Sequence, residues 1–550
     1  MNTPADLASL GDDFWTWRAS TQPLAGDDIP RLERPTDWTP DWSPTSVAAQ
    51  RSQLAAFRER HAALAEPARA WPINQQVDYR LMGSALARVD YELDVTRGWQ
   101  RNPYFYVQQT LGAIFELLLQ PPPFDAQRQD ALVSRAEAIP GLLESAHANL
   151  NGNAIRSFAE LAIGALAGVG PRLETVLREL TPLLDAPHAQ RLSRALADAT
   201  THLDAYREWL TANLAHMPTA TAIGRDAYVG FLKKVALIPL TPEAIMSTAQ
   251  QELERSVTFE ALEQQRNRNL PPQPIATSQA EQIEREAVGE RMLRDFCETE
   301  GLLSFPDWLR RYRNLPMPAY LAALRGLGVT DDLTSPTRLD QDGLHYIPEP
   351  RPDLPYFYLA MARDPRTLIA HEGMHYYQLA MSWAHPDRLR RFYYDSGPNE
   401  GIGFYAEEML LQAGLFDDTP RSREIIYNFM RLRALRVAVD VRLALGELTV
   451  EAAADELASR VPMDAGTAYE EASFFASSPG QAITYQVGKN QILGFVSDAR
   501  RAQGANFNLR AFHDALWLNG NVPIALQRWE LLGARDQIDI LDIFDTPEDH

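Results

Sequence analysis

The sequence predicts a mainly α-helical protein with a small β element, and three observations predict it. Apolar positions recur at three- and four-residue spacing through most of the 550 residues, the period of one buried helix face. The punctuation between these stretches is helix start and stop chemistry. One short aromatic run bounded by breakers, PYFYLAM at 355–361, reads as a strand.

Taken in chain order, QPPPFDAQ at 120–127 is a break. Thr241 reads as an N-cap with Pro242 at the first helical position, where a preset φ helps and a missing N–H costs nothing. RNRNLPPQPIATS, ending at Ser278, reads as an exposed loop. Ser278 and Glu281 then form a capping box for the next helix. From about Ser335 to Met361 the composition turns to Pro, Asp and aromatic residues, which places a boundary near 340. The expected regions are 1–340, helical, and 341–550, carrying the chemistry. No fixed-period repeat or low-complexity tract occurs.

Composition excludes several classes. With 52 Lys plus Arg against 73 Asp plus Glu, the formal charge is −21, and no long basic run could cradle a phosphate backbone. Nucleic acid and anionic membranes are therefore not expected partners. The single cysteine, Cys297, fits a reducing compartment. The first twenty residues carry acids where a signal peptide needs bases, and no apolar run reaches membrane-spanning length. The expectation is a cytoplasmic protein.

The chemistry centres on LIAHEGMHYYQLAMSW, 368–383. Asp364 caps a helix opening at Pro365 and ended by Pro386. His371 and His375, four apart, leave one face of that helix and can share an ion, and Glu372 beside them can accept a proton from metal-activated water. A catalytic zinc needs a third protein ligand. Glu400, twenty-five residues after His375 in YYDSGPNEGIGFYAEEM, starts a second helix capped by Ser396 and ended by Gly414. Gly401 and Gly403 cost that helix about 0.5–1 kcal/mol each, which close approach to the first helix would explain. Glu407 and Glu408 compete as ligands or hold a histidine N–H, though a solvated helix face is their default reading. Arg436 and Asp440 are expected to pair with each other across one helical turn.

Five motifs carry a resemblance: FYLAMARDPRTLIAHEGMHYYQ, NEGIGFYAEEM, RLRALRVAVDVRL, SSPGQAITYQVGKNQIL and FNLRAFHDALWLNGNVPIAL. In this order they resemble the bacterial family of domain of unknown function 885, similar to zinc metallopeptidases of the HExxH-plus-glutamate type. The resemblance implies a large helical zincin-like body with a deep channel, and the 355–361 strand lining the cleft through Tyr356 and Tyr358. It further implies Tyr485 and His513 as oxyanion donors and Arg510 as a clamp for a substrate carboxylate. The expected protein is a one-zinc metallopeptidase of short or unstructured peptides, with metal ligands His371, His375 and Glu400 and general base Glu372. Two alternatives remain: a zinc hydrolase of another amide or ester, and a helical scaffold with a vestigial site.

Overall fold

A computed structural model describes residues 3–25 and 32–543 of the chain. Its long helices start where capping residues and prolines meet. Thr241 accepts from the Ala244 amide at 3.3 Å and Pro242 opens α1 (Pro242–Arg266). The proline-rich stretch that follows is irregular up to α2 (Gln279–Thr299), whose first turn is held by Ser278 accepting from Glu281 N at 3.2 Å. The reciprocal bond of the expected box moves one residue upstream, since the Glu281 carboxylate accepts from Thr277 N at 2.7 Å.

A three-stranded sheet follows α2. It comprises β1 (Tyr312–Pro316), β2 (Asp331–Asp332) and β3 (Gly343–Ile347), ordered β1-β3-β2, with β1 parallel and β2 antiparallel to β3. All five β3 residues are buried. A side chain at Gly343 would run into the Tyr376 ring, so the glycine lets the sheet lie flat against the histidine-bearing helix.

The segment 355–361 is not a strand. Apart from Pro355 it lies within α3 (Tyr356–Arg363), and the Pro355 carbonyl accepts from Leu359 N at 2.9 Å. Pro355 supplies a helical φ, and Leu-Ala-Met-Ala-Arg are strong helix formers. The aromatics that suggested β structure pack outward instead: Tyr356 and Phe357 meet Phe429, and Tyr358 lies against His345. A helix offers no strand edge, so this segment does not line the cleft as a strand. The β element that does flank the histidine helix comes from GLHYI, some ten residues earlier.

Helical backbone then runs from Pro365 through a π turn, Ile369–Gly373, into α4 (Met374–Trp383). α5 (Ser396–Ala413) ends at Gly414 with φ 101°. Asp395 rather than Ser396 caps it, accepting from Gly397 N at 2.8 Å, while Ser396 Oγ donates to Gln481. α6 (Pro420–Leu445) packs along α1, and α7 (Thr484–Gln503) packs along α5. α8 (Leu509–Leu518) closes the far side of α4.

Two of the four apolar cores bear most directly on the histidine helix. One, from Leu7, Phe57, Leu118 and Leu203, also takes in Tyr346, Leu389, Val522 and Trp529, so packing crosses position 340. The other surrounds the histidines through Ile369, Met374, Tyr377, Phe404 and Trp517. Each such side chain contributes about 1.5–3 kcal/mol by leaving water. Among the described residues, no helix is long and apolar enough to cross a membrane.

Arg436 and Asp440 do not pair. Arg436 Nε donates to Glu471 at 3.1 Å, and Asp440 accepts from the Gly480 and Ala482 amides at 2.8 and 2.7 Å. A buried carboxylate beside a turn of unpaired N–H groups is better served by those groups than by a neighbour on its own helix.

Candidate metal centre and active site

The π turn and α4 place His371 and His375 on one face, and α5 crosses them. The crossing is close because it is glycine-lined. A Cβ at Gly403 would stand 2.8 Å from His375 Nε2 and 3.0 Å from His371 Cε1, and one at Gly401 would stand 2.6 Å from Gly488 Cα on α7. Glu400 is thereby carried to the histidines. His371 Nε2 and His375 Nε2 lie 3.2 and 3.1 Å from Glu400 Oε2 and 2.9 Å from each other.

These three atoms form the cluster among the described residues that could hold a metal ion. Donor atoms on a tetrahedral zinc with bonds of about 2.0–2.2 Å stand about 3.3 Å apart, close to these separations. The chemistry of the set agrees. Two imidazole nitrogens facing each other at 2.9 Å repel unless something positive lies between them, and all three residues are at most 2% exposed. Glu400 Oε1 and His375 Nδ1 are buried and without a hydrogen-bond partner. Two neutral imidazoles and a carboxylate suit zinc.

Electrostatics keep Glu400 ionised and favour a proton on His371, which an ion at Nε2 would displace. Burial opposes ionisation of Glu400, but His375 and His371 beside it prevail and hold its carboxyl well below the usual range. Burial and Arg433 push His371 down, Glu400 and Glu407 push it up, and the balance stands at about 9. Glu407 Oε1 lies 2.8 Å from His371 Nδ1 and 2.8 Å from Arg433 Nη2. A carboxylate there directs the His371 proton to Nδ1 and leaves Nε2 free to ligate. Glu407 is thus no solvated face; it is fully buried. Nor is Glu408, which joins Lys489 Nζ at 2.8 Å and Arg255.

Glu372 lies on a cavity wall. With His375, Asn399 and Asp331 it lines a cavity of about 810 Å³, within the range of small-ligand sites. Burial raises its carboxyl, His371 and His375 lower it, Asp331 and Glu400 raise it, and the net direction is up.

The other expected residues divide. Tyr485, near the start of α7, lies against His371 with ring centroids 6.0 Å apart and planes at 18°. Tyr358 is a neighbour of the sheet wall, its hydroxyl 3.2 Å from Thr330 Oγ1. Tyr356 is turned to Asn428 on α6. His513 is not at the centre. Its Nδ1 donates to Leu302 O at 2.7 Å and its Nε2 accepts from Tyr405 at 2.8 Å, so no N–H remains for an oxyanion. Arg510 donates to the Glu298 carbonyl and does not line the cavity.

Sequence reasoning missed a polar group on the sheet. Asp331 Oδ1 accepts from Tyr312 at 2.9 Å and from His345 Nδ1 at 3.0 Å. The one signal for it was a histidine inside the short apolar run GLHYI. Arg433, the partner of Glu407, was masked by its basic helix RLRALR.

Four of the five motifs bring residues to this site, the fifth packing behind α4, and the family comparison agrees with them. The model of the family described as "Bacterial protein of unknown function (DUF885)" matches residues 25–293 and 322–530. The chain belongs to that family. A chain from Shewanella oneidensis, named provisionally as a lipoprotein of unknown function, shares the DUF885 member's fold with a TM-score of 0.73 at 16% identity, covering 97% of this chain and 100% of that one. A provisionally named lipoprotein from Colwellia psychrerythraea, known from its crystal structure, gives 0.72 at 15% identity, covering 98% and 99%. At these identities the likeness shows the fold alone. No curated protein matches.

Proposed function

We propose that this DUF885 member is a zinc metallopeptidase of short or unstructured peptides. The observation that carries the reading is the convergence of His371 Nε2, His375 Nε2 and Glu400 Oε2 within 3.2 Å of one another beside Glu372 on a cavity wall. Zinc bound by these three atoms would polarise a substrate carbonyl and lower the pKa of water toward about 7. Glu372, its carboxylate turned to the cavity, takes the proton of the attacking water and returns it to the leaving nitrogen. Its raised proton affinity suits both halves of that transfer. Glu407 and Arg433 fix the His371 ring, and Tyr485 lies against the same ring as the candidate oxyanion donor. The cavity is where we place the channel; its size admits a short peptide and shuts out a folded protein.

The location we propose is cytoplasmic, supported by the unpaired, buried Cys297. The lipoprotein names of both relatives point to a membrane-tethered place instead, and cell fractionation decides between them.

The test of function is a fluorogenic peptide panel read against small acylated amides and esters, with wild type and Glu372→Gln. Peptide cleavage lost in the variant while zinc is retained supports the reading. Cleavage of non-peptide amides or esters alone favours a different hydrolase, and an active variant refutes the assigned base.

A further inference from the structure

The fifth motif packs behind α4, yet it reaches both metal-bearing helices through a chain of side-chain amides. Asn399 precedes Glu400 on α5, and Gln378 lies one turn beyond His375 on α4. Asn399 Nδ2 donates to Gln378 Oε1 at 3.1 Å, and Gln378 Nε2 donates to Asn521 Oδ1 at 3.0 Å. At the other end the Tyr394 hydroxyl donates to Asn399 Oδ1 at 3.4 Å. Asn521 belongs to the fifth motif and lies in the turn after α8. That turn is itself anchored. Arg390 Nη1 donates to Asn519 Oδ1 at 2.6 Å, and a Cβ at Gly520 would stand 2.8 Å from Ser382 Oγ on α4.

Gln378 and Asn399 are fully buried, and Asn521 is 3% exposed. Taking amides out of water is costly unless their groups are paired, and apolar side chains of the same shape would hold two helices together without that cost. What the amides add is direction. Each amide oxygen accepts from one neighbour, and the nitrogens of Asn399 and Gln378 donate to the next, so the chain closes at one offset of α5 along α4. The glycines at the crossing supply no such lock: Gly401 and Gly403 let α5 approach but carry no side chain to stop it sliding. His375 Nε2 and Glu400 Oε2, 3.1 Å apart, ride on the two amide-bearing turns. Metal bonds tolerate deviations of only about 0.2 Å, so the offset between these turns decides whether the ligand set closes on an ion.

We propose that Asn399, Gln378 and Asn521 are positioning residues for the metal: their amide chain fixes Glu400 against His375 and so sets the affinity and geometry of the bound ion. The inference rests on the metal-site reading and gives the fifth motif its part in it.

Three measurements on the full-length chain test it: zinc affinity by chelator competition, the visible absorption bands of the cobalt(II)-substituted protein, and thermal unfolding. Gln378→Met breaks the chain at its centre and should lower both stability and zinc affinity, the latter about 10–100-fold. The triple variant Gln378→Met, Asn399→Leu, Asn521→Leu replaces every amide by an apolar side chain of similar size, so its melting temperature should return toward wild type. Its zinc affinity should stay about 10–100-fold down and its cobalt bands shifted, because the offset is no longer fixed. Wild-type affinity and bands in the triple variant would show that the amides only pack, and would overturn the proposal. If the triple variant fails to fold, Asn521 decides. Asn521→Leu should weaken zinc binding, while Asn521→Asp, which keeps the oxygen that Gln378 meets, should not; equal affinities in the two overturn the proposal. A wild-type protein that binds neither zinc nor cobalt overturns the metal site and this inference together, whereas unchanged variants of a metal-binding wild type overturn this inference alone.

Discussion

Gly403→Ala should damage metal binding far more than folding. The added Cβ would sit 2.8 Å from His375 Nε2 and 3.0 Å from His371 Nδ1 and Cε1, closer than real methyl groups approach. Overpacking of this kind costs about 1–3 kcal/mol, while replacing a helical glycine by alanine returns about 0.5–1 kcal/mol. The net stability loss of the metal-free protein is then about 1–2 kcal/mol. Zinc affinity suffers more, because the methyl group displaces two ligand rings at once, and a loss of about 2–3 kcal/mol corresponds to roughly 30–200-fold. Gly401→Ala provides the contrast. Its Cβ meets the Gly488 backbone at 2.6 Å, which cannot rotate away, so stability falls at least as far while the histidine rings are untouched. Chelator competition gives the zinc affinities and urea unfolding gives the stabilities. Wild-type zinc affinity in Gly403→Ala would refute the claim that α5 and the histidine rings share this space around an ion.

Glu407→Gln should lower zinc affinity about 10–100-fold, as loss of a carboxylate behind a ligating histidine does; it should also destabilise the fold, since the buried Arg433 loses the charge that faces it. Dye competition and thermal melting read the two effects. Tyr485→Phe keeps the ring against His371 and should cut kcat about 10²–10³-fold with zinc content unchanged, if its hydroxyl serves an oxyanion. Glu286 tests the electrostatics away from the metal. Burial raises its carboxyl to about 7, so between about pH 4.5 and 7 the folded protein binds more protons than the unfolded chain and stability falls as pH rises. Glu286→Gln should therefore gain on wild type across that window, by about 3 kcal/mol at pH 8 and nothing at pH 4. Unfolding midpoints at both pH values check the sign.

The pattern of legibility follows interaction range. His371 and His375 were readable because four residues of helix bring two rings together whatever the rest of the chain does. Glu400 was readable because the glycines around it had no local reason to be in a helix. What failed was decided by partners far away in sequence. PYFYLAM looked β-like on its aromatics, yet Phe429 takes two of those rings against a helix. Arg436 and Asp440 had the spacing of a pair, but Glu471 and the amides of residues 480 and 482 offered better partners. His513 sits in a core beside Leu302, a neighbour 211 positions away that no motif names. The capping residues at Thr241 and Ser278 were legible, since a cap is a three-residue interaction.

Zinc content is the measurement closest to the central claim. Protein purified without added metal, measured by inductively coupled plasma mass spectrometry, is expected to carry about one zinc per chain, and Glu400→Gln or His371→Ala markedly less. Wild-type protein that takes up no zinc even when it is supplied, or a Glu400→Gln variant that holds it as tightly as wild type, would contradict the assignment of His371, His375 and Glu400 as a metal site.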